Sequence, residues 1–245
     1  MIKVNCLTKI IGNKTILHDI NLDVKKGEIF GFLGPNMAGK TTTMKILAGV
    51  SAPTSGEIFI LGHKMPDERT KIIPRLAFIP DQPLLYEKLT GREYLNFIYS
   101  IFKLSENNRD TEIDYMLEKF DLYEQADELI ENYSQGMKQK LSFAAAFIRK
   151  PEILLIDEPM TGLDPKSSKM IQDMLIKFAN NGGVVFLSTH MLDIAENICN
   201  KITVIDKGRT IAHGAINELR NIMKIDSGKL IDIFLAVTEK NETIP

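Results

Sequence analysis

Residues Gly34 to Thr43 read GPNMAGKTTT, and this stretch gathers the groups best suited to chemistry. Gly34 to Thr41 fits the spacing G-x-x-x-x-G-K-[ST]. An apolar run at 28–33 leads in, and a helical pattern at 39–48, closed by Gly49, leads out. That setting suits phosphate. Backbone N–H groups of a Gly-rich loop converge on the oxygens, and the helix N-terminus adds its dipole. Lys40 can reach the β- and γ-phosphates of a nucleotide, and the Thr41 hydroxyl can ligate Mg2+. The candidate nucleotide contacts are Gly34, Pro35, Asn36, Met37, Ala38, Gly39, Lys40, Thr41 and Thr42. A second set is Asp157 and Glu158, at the end of the apolar run ILLID. Open α/β sheets bind ligands at the carboxyl ends of their strands. Neighbouring strand residues face opposite ways, so the two acids should have different jobs. Asp157 can hold Mg2+ through water, and Glu158 can orient and deprotonate an attacking water.

These groups need elements to hold them. IKVNCL (2–7), EIFGFL (28–33), RLAFIP (75–80), EILLID (152–157), GVVFLST (183–189) and KITVID (201–206) read as strands. Several are nearly all apolar, as in strands covered on both faces. Helical patterns at 39–48, 165–180 and 191–199 alternate with them. The alternation predicts a mostly parallel α/β sheet. TILHDINLDVKKGEIFGF reads as two strands joined by a KKGE turn, so an antiparallel portion is expected near the N-terminus. Three helical stretches at 90–104, 110–130 and 134–150 interrupt the alternation and predict an inserted helical lobe. Residues 110–131 hold nine acids and one base, Lys119. This is either a solvated face or a docking surface for basic loops.

Bulk properties exclude some classes. The chain has 245 residues, 44% hydrophobic and 25% charged, with net charge −2. It shows no basic excess of the kind nucleic acid requires. No apolar run approaches the ~18–20 residues that span a bilayer, and the first ten residues lack a signal-peptide core. Two cysteines, Cys6 and Cys199, make no disulfide framework or zinc spacing.

With these motifs in order, the chain resembles the nucleotide-binding subunit of ATP-binding cassette (ABC) transporters, drug- and peptide-exporter branch. Five further stretches carry the resemblance: PTSGEI (53–58), FIPDQPLLYEKLT (78–90), NYSQGMKQKLSFA (132–144), MTGLDP (160–165) and FLSTH (186–190). It implies a P-loop NTPase core at 1–89 and 151–220, a helical subdomain at 90–150 and a C-terminal tail at 221–245. It implies ATP and Mg2+ as ligands and a dimer that closes on two nucleotides. Ser134, Gln135, Gly136 and Met137 would then meet the γ-phosphate held by a second nucleotide-binding subunit, and Asp164 would cross the interface. His190 would touch the γ-phosphate and steady the water beside Glu158. Asp81 or Gln82 would sit at the lobe junction as a Mg2+ or water ligand, Asp81 being the aligned one. The partner would be a separate transmembrane permease, holding this chain at the cytoplasmic face of the membrane to drive export. The rival expectations are a catalytically silent nucleotide-binding module and a cassette ATPase outside transport.

Three positions depart from the family pattern. Met37 stands where glycine is usual. If that backbone needs φ > 0, the side chain costs about 1–3 kcal/mol. Ile11 stands where an aromatic residue usually stacks on adenine, at a cost of about 1–3 kcal/mol. Together they predict weakened ATP affinity with the chemistry intact. YSQGM replaces the commoner LSGGQ and resembles a branch marker.

Overall fold

The computed structural model describes residues 1–223 and 229–242. In chain order, β1 (Ile2–Ile11), β2 (Lys14–Val24), β3 (Ile29–Leu33) and α1 (Lys40–Leu47) come first, then β4 (Ser55–Ile60) and β5 (His63–Met65). A short α2 (Arg69–Ile72) leads to β6 (Leu76–Ile79), and α3 (Gly91–Ile101), α4 (Arg109–Lys119) and α5 (Gln135–Phe147) follow. The last third is β7 (Ile153–Asp157), α6 (Pro165–Asn180), β8 (Val184–Thr189), α7 (Leu192–Ile198), β9 (Lys201–Asp206), β10 (Arg209–Ala215), α8 (Ile216–Met223) and α9 (Leu230–Glu242).

Six strands form one sheet in the order β10-β9-β3-β8-β7-β6. Its pairs from β9 to β6 are parallel, and β10 closes the edge as an antiparallel hairpin with β9. β3, β7 and β8 are buried at every residue, which explains why they are apolar up to the polar residues that end β7 and β8. One face carries Phe30, Phe32, Leu155 and Phe186 against α1 and the first sheet. The rings of Phe30 and Phe186 stack at 5.2 Å. The other face carries Leu154, Ile156, Val185 and Leu187 against the helices. Residues of α3, α4 and α5 share that cluster, so the helical stretch is packed directly onto the sheet.

The expected antiparallel portion is present, but its pairing differs from the sequence reading. β2 and β3 are indeed joined by a Lys25–Glu28 turn, yet they lie in different sheets. The antiparallel partner of β2 is β1, joined through Gly12 and Asn13, with Gly12 at φ +58. β4 and β5 complete the four-stranded order β2-β1-β4-β5. Apolar residues sit on one side of β2 (Ile20, Leu22, Val24), and that side covers the main sheet.

The stretch 110–130 is not one helix. α4 stops at Lys119, Asp121 takes φ +55, and the Leu122 N–H returns to the Leu117 carbonyl at 2.8 Å. Such a closure ends a helix. Many of its acids find bases in the same chain. Arg92 holds Asp114 and Asp127, Lys150 holds Glu112, Lys140 holds Asp121, and Lys88 holds Glu131. The acidic run is therefore largely an intramolecular ion-pair surface. Of the tail at 221–245, residues 224–228 and 243–245 lie outside the described residues. α9 packs Leu230 and Ile233 beside Val204 and Leu219. No helix among the described residues is long and apolar enough to cross a membrane.

Candidate active site

The site lies at the carboxyl ends of β3, β7 and β8. The loop from Gly34 to Gly39 leaves β3 and turns into α1. Gly34 is required by close packing, since a Cβ there would lie 2.3 Å from the Ile205 carbonyl oxygen. Gly39 has φ +110, and its Cβ would meet the Leu17 side chain at 2.6 Å. The Thr43 N–H already bonds the Gly39 carbonyl, so the helix begins at once. Among the described residues, the N–H groups of Asn36, Met37, Gly39, Lys40, Thr41 and Thr42 have no hydrogen-bond acceptor. Four consecutive donors at 39–42 and two more at 36 and 37 are thus free to meet an anion, while the Ala38 N–H between them bonds the Pro35 carbonyl.

Lys40 is buried, at 6% exposure. Its ammonium donates to the Gly34 carbonyl at 2.8 Å and the Pro35 carbonyl at 3.2 Å, and lies 3.7 Å from Glu158 Oε1. Burial pushes its pKa down, while the charges of Glu158 and Asp157 oppose that shift. Thr41, Thr42, Met37, Asn36, Asp81 and Glu158 line the same cleft, of about 210 Å3.

The two strand-end acids have different partners. Asp157 is 1% exposed and accepts a hydrogen bond from the Ser188 hydroxyl. Glu158 sits at φ +49, just past the end of β7, with its N–H on the Ser188 carbonyl at 2.9 Å. Its Oε2 accepts from the Thr189 hydroxyl at 2.9 Å and the His190 N–H at 3.4 Å. Its Oε1 lies 2.9 Å from His190 Nδ1. The tertiary structure thus joins Lys40, Glu158 and His190, which are far apart in sequence.

Asp81 lines the cleft, whereas Gln82 is exposed and does not. Burial raises the Asp81 pKa, and the charges of Asp157 and Glu158 raise it further, against His190. Ser134 caps α5, its hydroxyl accepting from the Met137 N–H at 3.2 Å. Ser134, Gln135, Gly136 and Met137 do not line this chain's own phosphate cleft. Asp164 caps α6, accepting from the Ser167 N–H at 2.9 Å and the Ser167 hydroxyl at 2.5 Å, which draws its pKa down. Ile11 ends β1, exposed, and is not a cleft residue; Ile16 is. The sequence reading missed Ile16 and the bonds that Ser188 and Thr189 make to the acids, although LSTH carries hydroxyls of the right kind.

Met37 has φ +66 and 94% exposure. The positive φ needed for the strain argument is therefore real. Whether that cost bears on the folded chain or on nucleotide binding is what a Met37→Gly variant separates.

A strand, an N–H-lined loop, a buried lysine at the head of a helix and two strand-end acids define a P-loop nucleotide hydrolase. The family model described as ABC transporter matches residues 17–161. The chain is 35% identical over 219 residues to the linearmycin resistance ATP-binding protein LnrL of Bacillus subtilis (strain 168), covering 89% of this chain and 70% of that protein. It is also 35% identical over 219 residues to the daunorubicin resistance ATP-binding protein DrrA3 of Streptomyces coeruleorubidus, covering 89% and 69%. A solved structure described as the ATP binding subunit of an ABC transporter superposes with a TM-score of 0.91 at 30% identity, over 97% of this chain and 99% of that one. A dimeric, post-hydrolysis structure of the ATP-binding cassette MJ0796 with ADP and Pi gives 0.80 at 28%, over 88% and 98%. The chain belongs to the ABC transporter family. It is an ATP-binding subunit and an ATPase, and its role is to power a transporter. Neither rival expectation finds support in these likenesses.

Proposed function

We propose that this chain powers export of a drug-like or peptide-like cargo, as one of two nucleotide-binding subunits beneath a separate membrane permease. The likeness to subunits named for linearmycin and daunorubicin resistance supports export. The six N–H groups without acceptors are the observation that carries the site reading. They match the β- and γ-phosphates of ATP in charge and in donor number. We read residues 1–89 and 151–220 as the nucleotide core, 90–150 as the lobe and 221–245 as the tail.

Thr41, Asp81 and Asp157 would hold Mg2+, an oxygen-only set that suits a hard cation. When bound, the ion neutralises charge on the phosphates. Lys40 leaves the Gly34 and Pro35 carbonyls for the β- and γ-phosphate oxygens. Glu158 accepts a proton from the attacking water. His190, beside Glu158, orients that water and contacts the γ-phosphate. Ser134 to Met137 offer a helix N-terminus, a hydroxyl and N–H groups to the nucleotide on the partner subunit. The absence of those residues from this chain's own cleft supports a shared site.

An apolar groove of about 270 Å3 between Phe78, Tyr94, Ile98 and Ala146 supports a docking place for the permease. Its rim leaves Leu84 82% and Val50 66% exposed. Docking there would place the chain on the cytoplasmic face of the membrane. The experiment is ATP turnover by wild type and Glu158→Gln. A loss of ~100-fold or more with nucleotide binding retained supports the assignment of Glu158. Equal rates refute it.

A further inference from the structure

Gln139 lies in the second turn of α5, with 0% exposure. Its Nε2 donates to the Pro159 carbonyl at a long 3.4 Å, and its buried Oε1 has no hydrogen-bond partner. An orphaned buried acceptor costs about 1–3 kcal/mol, and an apolar side chain of the same shape would avoid that cost. The unmet acceptor points to a second arrangement in which the amide oxygen is bonded.

The surroundings identify that arrangement. Pro159 directly follows Glu158, whose backbone is in the left-handed region. Behind it the loop is held by two long turn bonds, Thr161 N–H to the Glu158 carbonyl and Leu163 N–H to the Met160 carbonyl, both 3.3 Å. The Met160 N–H has no acceptor among the described residues, although Met160 is only 5% exposed. An orphan donor thus lies on the same peptide unit as the carbonyl that Gln139 touches. If the Pro159–Met160 peptide turns over, its N–H replaces its carbonyl at the amide. Gln139 can serve both orientations, donating through Nε2 in one and accepting through Oε1 in the other.

The same helix end is pressed onto the same loop. A Cβ on Gly136 would lie 2.9 Å from the Gly162 carbonyl oxygen. A Cβ on Gly162, at φ +77, would meet the Gln135 side chain at 2.9 Å. A shift of the Ser134 to Met137 turn therefore reaches the loop behind Glu158 directly.

We infer that Gln139 is a positioning residue for hydrolysis: it couples the first turns of α5 to the orientation of the Pro159–Met160 peptide and so to the placement of Glu158. The inference rests on the reading of Glu158 as the water-orienting carboxylate. A misplacement of about 1 Å at such a group can cost ~100-fold in rate.

The test uses the full chain, with Gln139→Met and Gln139→Leu as apolar variants. Thermal midpoint, affinity for ATP and turnover at saturating Mg2+–ATP are measured for each. The expected result is a midpoint unchanged or raised, affinity within ~2-fold and kcat lowered ~10-fold or more. A purely structural residue would not give that split. A kcat within ~3-fold of wild type overturns the inference. So does a fall in midpoint of more than ~5 °C in both variants with kcat falling in step, which would make Gln139 a packing residue. Glu158→Gln is run beside them. If it alone is inactive, only the Gln139 inference fails; if it keeps wild-type turnover, the Glu158 reading fails.

Discussion

Met37→Gly separates two ways in which a strained residue can act. Met37 sits at φ +66 with 94% of its surface exposed, so its side chain contributes almost no packing. The left-handed region costs a residue with a Cβ about 1–2 kcal/mol. Glycine removes that cost but gains freedom in the unfolded chain, which returns about 0.5–1 kcal/mol. The net stabilisation is therefore about 0.5–1 kcal/mol. For a chain of this size that raises the thermal midpoint by ~1–4 °C. If the folded chain carries this strain with and without nucleotide, the affinity for ATP stays within ~2-fold. Scanning calorimetry without nucleotide and equilibrium titration with ATP measure the two quantities independently. Binding ~5-fold tighter or more with an unchanged midpoint would refute the reasoning. The loop would then reach its strained form only when phosphate arrives.

Further outcomes follow from the site's charges and close contacts. The Asp81 pKa is raised above 3.8, first by burial and then by Asp157 and Glu158. A raised carboxyl favours folding below its unfolded pKa, and that contribution is lost as pH rises through the folded value. Asp81→Asn, neutral throughout, should match wild-type stability in acid and exceed it at neutral pH. A denaturant midpoint series across that range checks the crossover. The same variant should lose ~10-fold or more in turnover if Asp81 serves Mg2+. Gly136→Ala places a methyl 2.9 Å from the Gly162 carbonyl, so the loop behind Glu158 must move. Stability should fall by about 1–2 kcal/mol by overpacking, with a larger loss in kcat than in ATP affinity.

Legibility varied by element. The phosphate loop could be read directly, because its glycines, lysine and threonine are contiguous and local backbone geometry dictates their types. β3, β7 and β8 could be read because full burial leaves apolar runs of four or more residues, broken only at the strand ends that face the site. β4, β5 and β10 were not recognised. They lie toward sheet edges, where exposure on one side dilutes the pattern. The helix at 110–130 was overextended because an acidic, amphipathic rhythm continues past Phe120. The turn at Asp121 comes from a backbone closure rather than from a glycine or proline. The mistaken implication of pairing across the KKGE turn has a similar cause. A turn shows where the chain reverses, not which sheet each arm joins.

The sequence by itself offered the chemical groups, a phosphate loop and a strand-end acid pair, while the histidine's role and the ABC assignment came from resemblance to the family. The loop and the acid pair follow from residue type and short spacing, which local physics reads without the rest of the chain. Tertiary structure alone decided which groups meet. It set Lys40 and His190 on one carboxylate, put Asp81 and not Gln82 in the cleft lining, and brought Ile16 rather than Ile11 to it. It also buried Gln139 behind Glu158 with an unmet acceptor, and it gave Met37 a positive φ. Each of these depends on strand order and on packing between segments far apart in sequence, which no local pattern encodes.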